Sequence, residues 1–204
     1  ALVNAGLAAE AQPLWLPGMI AMRMSSAAVE RLSSNPDIGL LWLDDHLSET
    51  FGTPSLAEKT LAAAGSEKSV AWHLSGIGAD QAWASGHTGT GVLVGHLDTG
   101  LSYDHPDLQN HLWDGGSTYP NHGWDAVDND NDPYDGDTSW NHGTHTGGLI
   151  VGDGTNGTTT GVAPGAQLMV LRSVPGYFSD MIEAMQFGLD HGVQIFTMSA
   201  GWTL

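Results

Sequence analysis

The order of apolar and polar positions divides the 204-residue chain into two parts with different periodicity. In the first part, up to residue 47, the pattern is typical of a small α+β unit that begins with a helix and has no leading strand. It predicts a helix over 1–10, a strand or strand pair around Pro17 and Gly18, a helix after a serine N-cap at Ser25 or Ser26, and a strand over 38–43.

From residue 69 onward, short apolar runs alternate with segments of helical period. This alternation is typical of an α/β fold with a layered parallel sheet and helices on both of its faces. Between the two parts, residues 48–68 lack a sustained apolar period and predict a linker or processing region. The predicted elements of the second part are strands over 91–98, 167–172 and 193–198 and helices over 145–151 and 180–189.

Composition narrows the classes of function. The chain has 23 Asp and Glu against 5 Lys and Arg, so its formal net charge is −18. This charge repels phosphate backbones and anionic lipids, so we expect no nucleic-acid partner and no membrane partner. The absence of cysteine excludes disulfides, thiol catalysis and zinc held by cysteine. Residues 69–204 contribute −14 of the charge, which makes the second part the one whose acidity needs an explanation.

One candidate for chemistry is Asp98, which precedes Thr99 and Gly100 at the end of a predicted buried strand. An acid in that place can orient a histidine, or it can form half of a carboxylate pair, and a simple strand-end turn also uses these residue types. An aspartic peptidase needs a second Asp-Thr-Gly, which the chain does not contain.

A second candidate is His142, which begins the segment HGTHTGG. A histidine at a helix start can act as a general base, with the glycines allowing close packing. His142 and His145, at i and i+3 on a helix, could also be zinc ligands, although both the spacing and the Glu of the HExxH motif are missing. A packing or surface role for both histidines is the third alternative.

The third candidate is an acidic loop over 125–137, which holds six aspartates in thirteen residues. Closely spaced carboxylates favour calcium. A solvated acidic loop without a metal is the alternative. The predicted calcium ligands in this loop are Asp128, Asp130, Asp132 and Asp135.

Taken in order, the segments VGHLDTGLSYDHPDL, NHGTHTGGLIVG, GVAPGAQLMVLR and IFTMSAG resemble the subtilisin-like serine peptidases, or subtilases. The acidic loop before the His142 motif resembles that of bacillopeptidase F-like and related members. The resemblance covers residues 69–204, which it identifies as the N-terminal part of a catalytic domain. Residues 1–47 resemble the inhibitory, ferredoxin-like propeptide of that family without its first strand. The resemblance implies peptide-bond hydrolysis, protein substrates, secretion and structural calcium.

The resemblance also implies roles for individual residues. Asp98 would be the triad acid and His142 the general base, with His145 a structural neighbour on the same helix. Ser199, Ala200 and Gly201 match the strand that pairs with the substrate backbone. Asp107 matches a calcium ligand.

The nucleophile motif of the family, Gly-Thr-Ser-Met-Ala, does not occur in these 204 residues. The chain alone is therefore expected to be inactive and to need a C-terminal part of the catalytic domain, as a separate or cleaved chain, to supply the serine and the oxyanion asparagine. The propeptide is expected to act on its own chain and to be cut within 58–70. A non-catalytic fragment acting as an inhibitory or decoy module is the alternative.

Overall fold

The computed structural model describes residues 3–47, 69–136 and 141–200. The predicted linker over 48–68 therefore lies outside the described residues. The first part contains two paired strands, a helix and a short strand: β1 (Ala8–Leu14), β2 (Met19–Met24), α1 (Ser26–Ser33) and β3 (His46–Leu47).

The strand pair predicted around Gly18 is present. Strands β1 and β2 are antiparallel, and Gly18 takes a left-handed φ of 67° in the turn between them. Ser25 caps α1, since its hydroxyl accepts the backbone N–H of Ala28. This contact satisfies one of the donors that a helix start leaves without a backbone partner.

Two expectations for the first part are wrong. The helix predicted over 1–10 is replaced by a turn and the start of β1, where Ala8 is buried and pairs with Met24. The first described element is therefore a strand, whereas the sequence predicted a unit that begins with a helix and has no leading strand. Pairing with β2 overrides the local helix preference of this alanine-rich segment. The strand predicted over 38–43 is also missing, because the chain there has no sheet partner and Leu40 and Leu43 are exposed.

The second part is built around a four-stranded sheet whose order is β10, β5, β8, β6 and whose pairs are all parallel. The strands are β5 (Leu93–Asp98), β6 (Gly123–Asp125), β8 (Gln167–Arg172) and β10 (Ile195–Met198). The shorter strands are β4 (Ser69–Val70), β7 (Thr158–Thr159) and β9 (Gly176–Tyr177). The helices are α2 (Trp72–Gly76), α3 (Ala79–Ala84), α4 (His142–Val151) and α5 (Phe178–Asp190), with a 3₁₀ turn at Gln109–His111.

Strand β8 shows that helices cover both faces of the sheet. Leu168 and Val170 belong to the same buried cluster as Val151 of α4. The alternate residues Met169 and Leu171 belong to the cluster that contains Ile182 of α5. Since successive side chains of a strand point to opposite faces, α4 and α5 lie on opposite sides, as the α/β prediction requires.

The first part packs on α5. Leu14 at the end of β1 is 1% exposed and lies in the cluster formed by β8 and α5. The side chain of Gln12 donates to Glu183, and the backbone N–H of Leu16 donates to Gln186. Further along, β3 pairs with β9 in antiparallel register. In the part of the chain that the structure describes, no helix has the length and apolar composition needed to cross a bilayer.

Candidate active site

Strand β5 ends with Asp98 at the carboxyl edge of the sheet, where parallel α/β folds place functional groups. Its side chain is 1% exposed. The Oδ1 atom accepts the backbone N–H of Thr99 at 2.8 Å and lies 2.6 Å from Nδ1 of His142. The Oδ2 atom accepts the hydroxyl of Thr146 at 3.0 Å. A buried carboxylate with this many donors is held in one orientation.

His142 is the first residue of α4, and its side chain is 18% exposed against 1% for Asp98. A carboxylate only accepts hydrogen bonds, so Nδ1 of His142 carries the proton in their contact. In the neutral ring, Nε2 is then the basic atom. This pairing of a buried acid with a more accessible histidine gives the arrangement of a general base and the group that orients it.

A glycine brings α4 close to the end of β5. A Cβ on Gly143 would lie 2.0 Å from the carbonyl oxygen of Gly100. No side chain fits in that space, so the helix start reaches Asp98 only because residue 143 has none.

Asp135 also positions the start of α4. Its carboxylate accepts both the backbone N–H and the hydroxyl of Thr144, at 3.2 and 2.9 Å, and the hydroxyl of Thr99 at 3.3 Å. Burial raises the pKa of Asp135, and the hydrogen bonds from Thr144 oppose that rise. A carboxylate beside a helix N-terminus stabilises the helix dipole. The structure therefore places this predicted metal ligand against the helix that carries His142.

The other predicted ligands of the acidic loop have separate partners. Asp128 pairs with Arg172, which also pairs with Asp125. Asp130 accepts the backbone N–H of Asp132 at 2.8 Å, and Asp132 accepts the hydroxyl of Tyr103 at 2.8 Å. These carboxylates face different neighbours and do not converge on one point.

Asp107 accepts the backbone N–H of Asn156 in the loop after α4. Among the described residues, no three His, Asp or Glu side chains are grouped so that they could hold a metal ion. Calcium ligation by Asp107 and the acidic loop stays a prediction.

The predicted substrate-binding residues follow β10. Met198 pairs with Leu97, so Ser199 comes next at the edge where Asp98 lies, and its side chain is exposed. Ala200 is half-buried, and Gly201 lies outside the described residues. His145 is exposed on α4.

Two polar residues beside Asp98 were not predicted from the sequence. His96 is 1% exposed and lies two residues before Asp98 on β5, and Thr146 follows His142 by one helical turn. Both spacings put a side chain on the same face as a predicted site residue, which is the signal that identifies them.

Comparisons with known proteins agree with the predicted family. The sequence profile of the Subtilase family matches residues 89–203. The chain is 36% identical over 138 residues to the minor extracellular protease Vpr of Bacillus subtilis, a match that covers 63% of this chain and 16% of Vpr. It is 33% identical over 129 residues to the halolysin-like extracellular serine protease Nep of Natrialba magadii, covering 61% of this chain and 23% of Nep.

Bacillopeptidase F of Bacillus subtilis is 31% identical over 182 residues, covering 83% of this chain and 12% of that protein. The chain thus spans less than a quarter of the length of each of these relatives. Among solved structures, a serine protease of Aeromonas sobria in complex with its chaperone matches with a TM-score of 0.48 and 28% identity, over 58% of this chain and 20% of that one.

Proposed function

Since this chain belongs to the subtilase family, we propose that it supplies the acid and the base of a serine endopeptidase that hydrolyses peptide bonds in proteins. The observation that carries the proposal is the 2.6 Å contact between Nδ1 of His142 and Oδ1 of Asp98, made at the carboxyl edge of the sheet by a carboxylate that is 1% exposed.

In the proposed reaction, Asp98 holds His142 in the tautomer whose Nε2 accepts a proton. The Nε2 atom takes the hydroxyl proton of a serine while the serine oxygen bonds to the scissile carbonyl carbon. The same Nε2 atom then gives this proton to the departing amine. A water molecule then hydrolyses the acyl-enzyme. His142 takes a proton from the water as the water oxygen bonds to the acyl carbon, and it returns the proton to the serine oxygen as that oxygen leaves. The imidazolium formed in each step lies beside the Asp98 carboxylate, which stabilises it.

The serine and the oxyanion donors are proposed to come from a segment outside these 204 residues, because the chain contains no Gly-Thr-Ser-Met-Ala motif. Substrate is proposed to bind along residues 199–201. Two observations support this location: β10 leads directly to Ser199, and Ser199 is exposed beside the end of β5. A substrate segment that pairs with residues 199–201 would lie next to Asp98 and His142.

Residues 1–47 are proposed to be the inhibitory propeptide of the same chain, and 48–68 the processing region. In support, the backbone carbonyl of Asp45 accepts the N–H of Phe178 at 3.1 Å, and the carboxylate of Asp44 accepts the N–H of Ser179 at 3.1 Å. Both acceptors meet the first turn of α5, whose N–H groups have no partners within the helix. Secretion is proposed because Vpr and Nep are named extracellular proteases.

A fluorophosphonate probe tests the proposal, since it reacts with a serine only when a base activates it. The probe is applied to this chain assembled with the segment that supplies the serine. We expect labelling of the polypeptide that carries the serine, and none after heat denaturation or with His142→Ala. An assembled complex that binds protein substrates but takes no label would favour the non-catalytic module instead.

A further inference from the structure

A buried histidine with no part in the proposed reaction lies beneath the Asp98–His142 pair. His96 lies on β5, and its ring has three hydrogen-bond partners, with Oδ2 of Asp98 a further 4.0 Å from its Nε2. Its Nδ1 is 3.2 Å from the hydroxyl of Thr197, the residue opposite it on β10. Its Nε2 is 3.0 Å from the backbone carbonyl of Gly143 and 3.2 Å from the hydroxyl of Thr146.

One of these contacts fixes the position of the ring proton. The carbonyl of Gly143 can only accept, so Nε2 of His96 is the atom that donates. In the neutral ring, Nδ1 is then an acceptor, and the hydroxyl of Thr197 donates to it. The direction of each hydrogen bond around His96 follows from that single carbonyl.

The hydrogen bonds continue from His96 through Thr146 to Asp98. The hydroxyl of Thr146 has one proton and four polar atoms within reach: Oδ2 of Asp98 at 3.0 Å, Nε2 of His96 at 3.2 Å, and the carbonyls of His142 and Gly143 at 3.0 and 3.3 Å. The carboxylate is the strongest acceptor among them, so the proton goes to Asp98. The Thr146 oxygen then accepts from Nε2 of His96, which it shares with Gly143.

We propose that His96 and Thr146 are positioning residues: a directed chain of hydrogen bonds, from Thr197 through His96 and Thr146, holds Oδ2 of Asp98 so that Oδ1 faces His142. The inference rests on the proposed function, since it concerns the same acid and base. In this arrangement both oxygens of the Asp98 carboxylate are held, Oδ1 by His142 and Oδ2 by Thr146. The chain of hydrogen bonds starts on β10, two residues before Ser199, and so joins the proposed substrate-binding strand to the acid.

The surroundings of His96 keep its ring neutral, as the proposed chain requires. Burial lowers the pKa of His96, and the nearby His142 ring adds to that effect. Asp98, the carbonyl of Gly143 and the more distant Asp135 oppose it.

The ring proton of His96 is tested directly by ¹⁵N NMR of the 204-residue chain with labelled histidine. We expect the neutral tautomer protonated at Nε2, and we expect it to persist below the pH at which an ordinary histidine takes up its second proton. A ring protonated at Nδ1, or one that titrates as an exposed histidine does, would overturn the proposal. This readout needs no variant and no hydrolysis.

Thr146→Val and Thr146→Ser form a matched pair of variants. Valine has the shape of threonine without the hydroxyl, whereas serine keeps the hydroxyl. The readout is the proton resonance of Nδ1–H of His142, which reports its hydrogen bond to Asp98. We expect Thr146→Val to move this resonance upfield or to lose it by exchange with water, and Thr146→Ser to retain it. An unchanged resonance in a folded Thr146→Val chain would contradict the proposed role.

Kinetics of the assembled peptidase give a second test. Thr146→Val is expected to lower kcat by about tenfold or more, as for a lost hydrogen bond to a charged group, with KM little changed and with Thr146→Ser close to the wild type. An equal loss in both variants would indicate a structural defect only. If the wild-type assembly is inactive while both NMR results hold, the proposed function fails and the arrangement of hydrogen bonds stands.

Discussion

Arg172 is the only lysine or arginine in residues 69–204, and it lies between two carboxylates. Its Nη1 pairs with Asp125 and Asp128 at the edge of the sheet. The side chain of Asp125 is 3% exposed, so it depends on this one cation for its charge balance. Burial raises the pKa of Asp125, opposed by a backbone N–H from Asp128 and by Arg172.

Replacing Arg172 with Met is expected to lower the free energy of unfolding by about 3–5 kcal/mol, because a buried carboxylate is left without its partner. Urea unfolding of the 204-residue chain measures this change. Adding Asp125→Asn to the same variant removes the unpaired charge and is expected to recover much of the loss. If Arg172→Met unfolds at the same urea concentration as the wild type, the pair contributes nothing to stability.

Individual residues were predictable where a motif fixes the neighbours of a side chain. Asp98 and His142 were identified in this way, and the structure places them in contact. The pairing of Arg172 with Asp125 was not predictable from the sequence. It depends on the parallel register of β6 and β8, which places these two residues opposite each other on neighbouring strands. The partners of Asp128 and Asp132, which are Arg172 and Tyr103, likewise lie far away in sequence.

Two of the three glycines of helix α4, Gly143 and Gly148, differ in their surroundings. A Cβ on Gly143 would meet the carbonyl oxygen of Gly100 at 2.0 Å, whereas a Cβ on Gly148 would approach nothing closer than the hydroxyl of Thr160 at 3.9 Å. Glycine is required at residue 143 because α4 approaches the backbone of Gly100 closely there, whereas residue 148 has room for a side chain.

Gly143→Ala is therefore expected to lower the free energy of unfolding by about 1–3 kcal/mol and to separate His142 from Asp98. Gly148→Ala is the matched control. It is expected to be neutral or to stabilise the chain by about 0.5–1 kcal/mol, since alanine favours a helix interior. Thermal unfolding and the Nδ1–H resonance of His142 check both variants. Equal effects of the two substitutions would mean that α4 does not need its close approach to Gly100.

The elements of the second part were predicted better than those of the first. The strand expected over 167–172 has those bounds, and the strand over 193–198 is present as β10. The helix expected over 145–151 begins at His142, because packing against β5 orders three residues that have little helix preference. The predictions for the first part are wrong where strand pairing or solvent exposure, rather than local preference, decides the structure.

The two parts of the chain meet along α5, and Leu14 of the first part is buried in the apolar cluster there. Leu14 is 1% exposed in the shared cluster, whereas Leu16, two residues later, is 43% exposed. Truncation of a buried side chain leaves a cavity and destabilises the interface, whereas truncation of a side chain that is mostly in water does not.

Leu14→Ala is expected to loosen residues 3–47 from α5, at a cost of about 2–5 kcal/mol, and Leu16→Ala to have little effect. Hydrogen exchange of the backbone N–H groups of Phe178 and Ser179 measures the change, because Asp45 and Asp44 accept from them. Faster exchange in Leu14→Ala alone is the expected result. Equal protection in both variants would contradict packing of the first part through Leu14.

The proposed function requires that His142, oriented by Asp98, acts as the base of a serine endopeptidase. Hydrolysis of casein by the assembled peptidase tests it through two alanine substitutions on one helix. His142→Ala is expected to lower kcat/KM by about 10⁴-fold or more, while His145→Ala, which removes an exposed histidine one turn away, leaves it within about threefold of the wild type. Hydrolysis that survives His142→Ala, or that is lost equally in His145→Ala, would contradict the assignment.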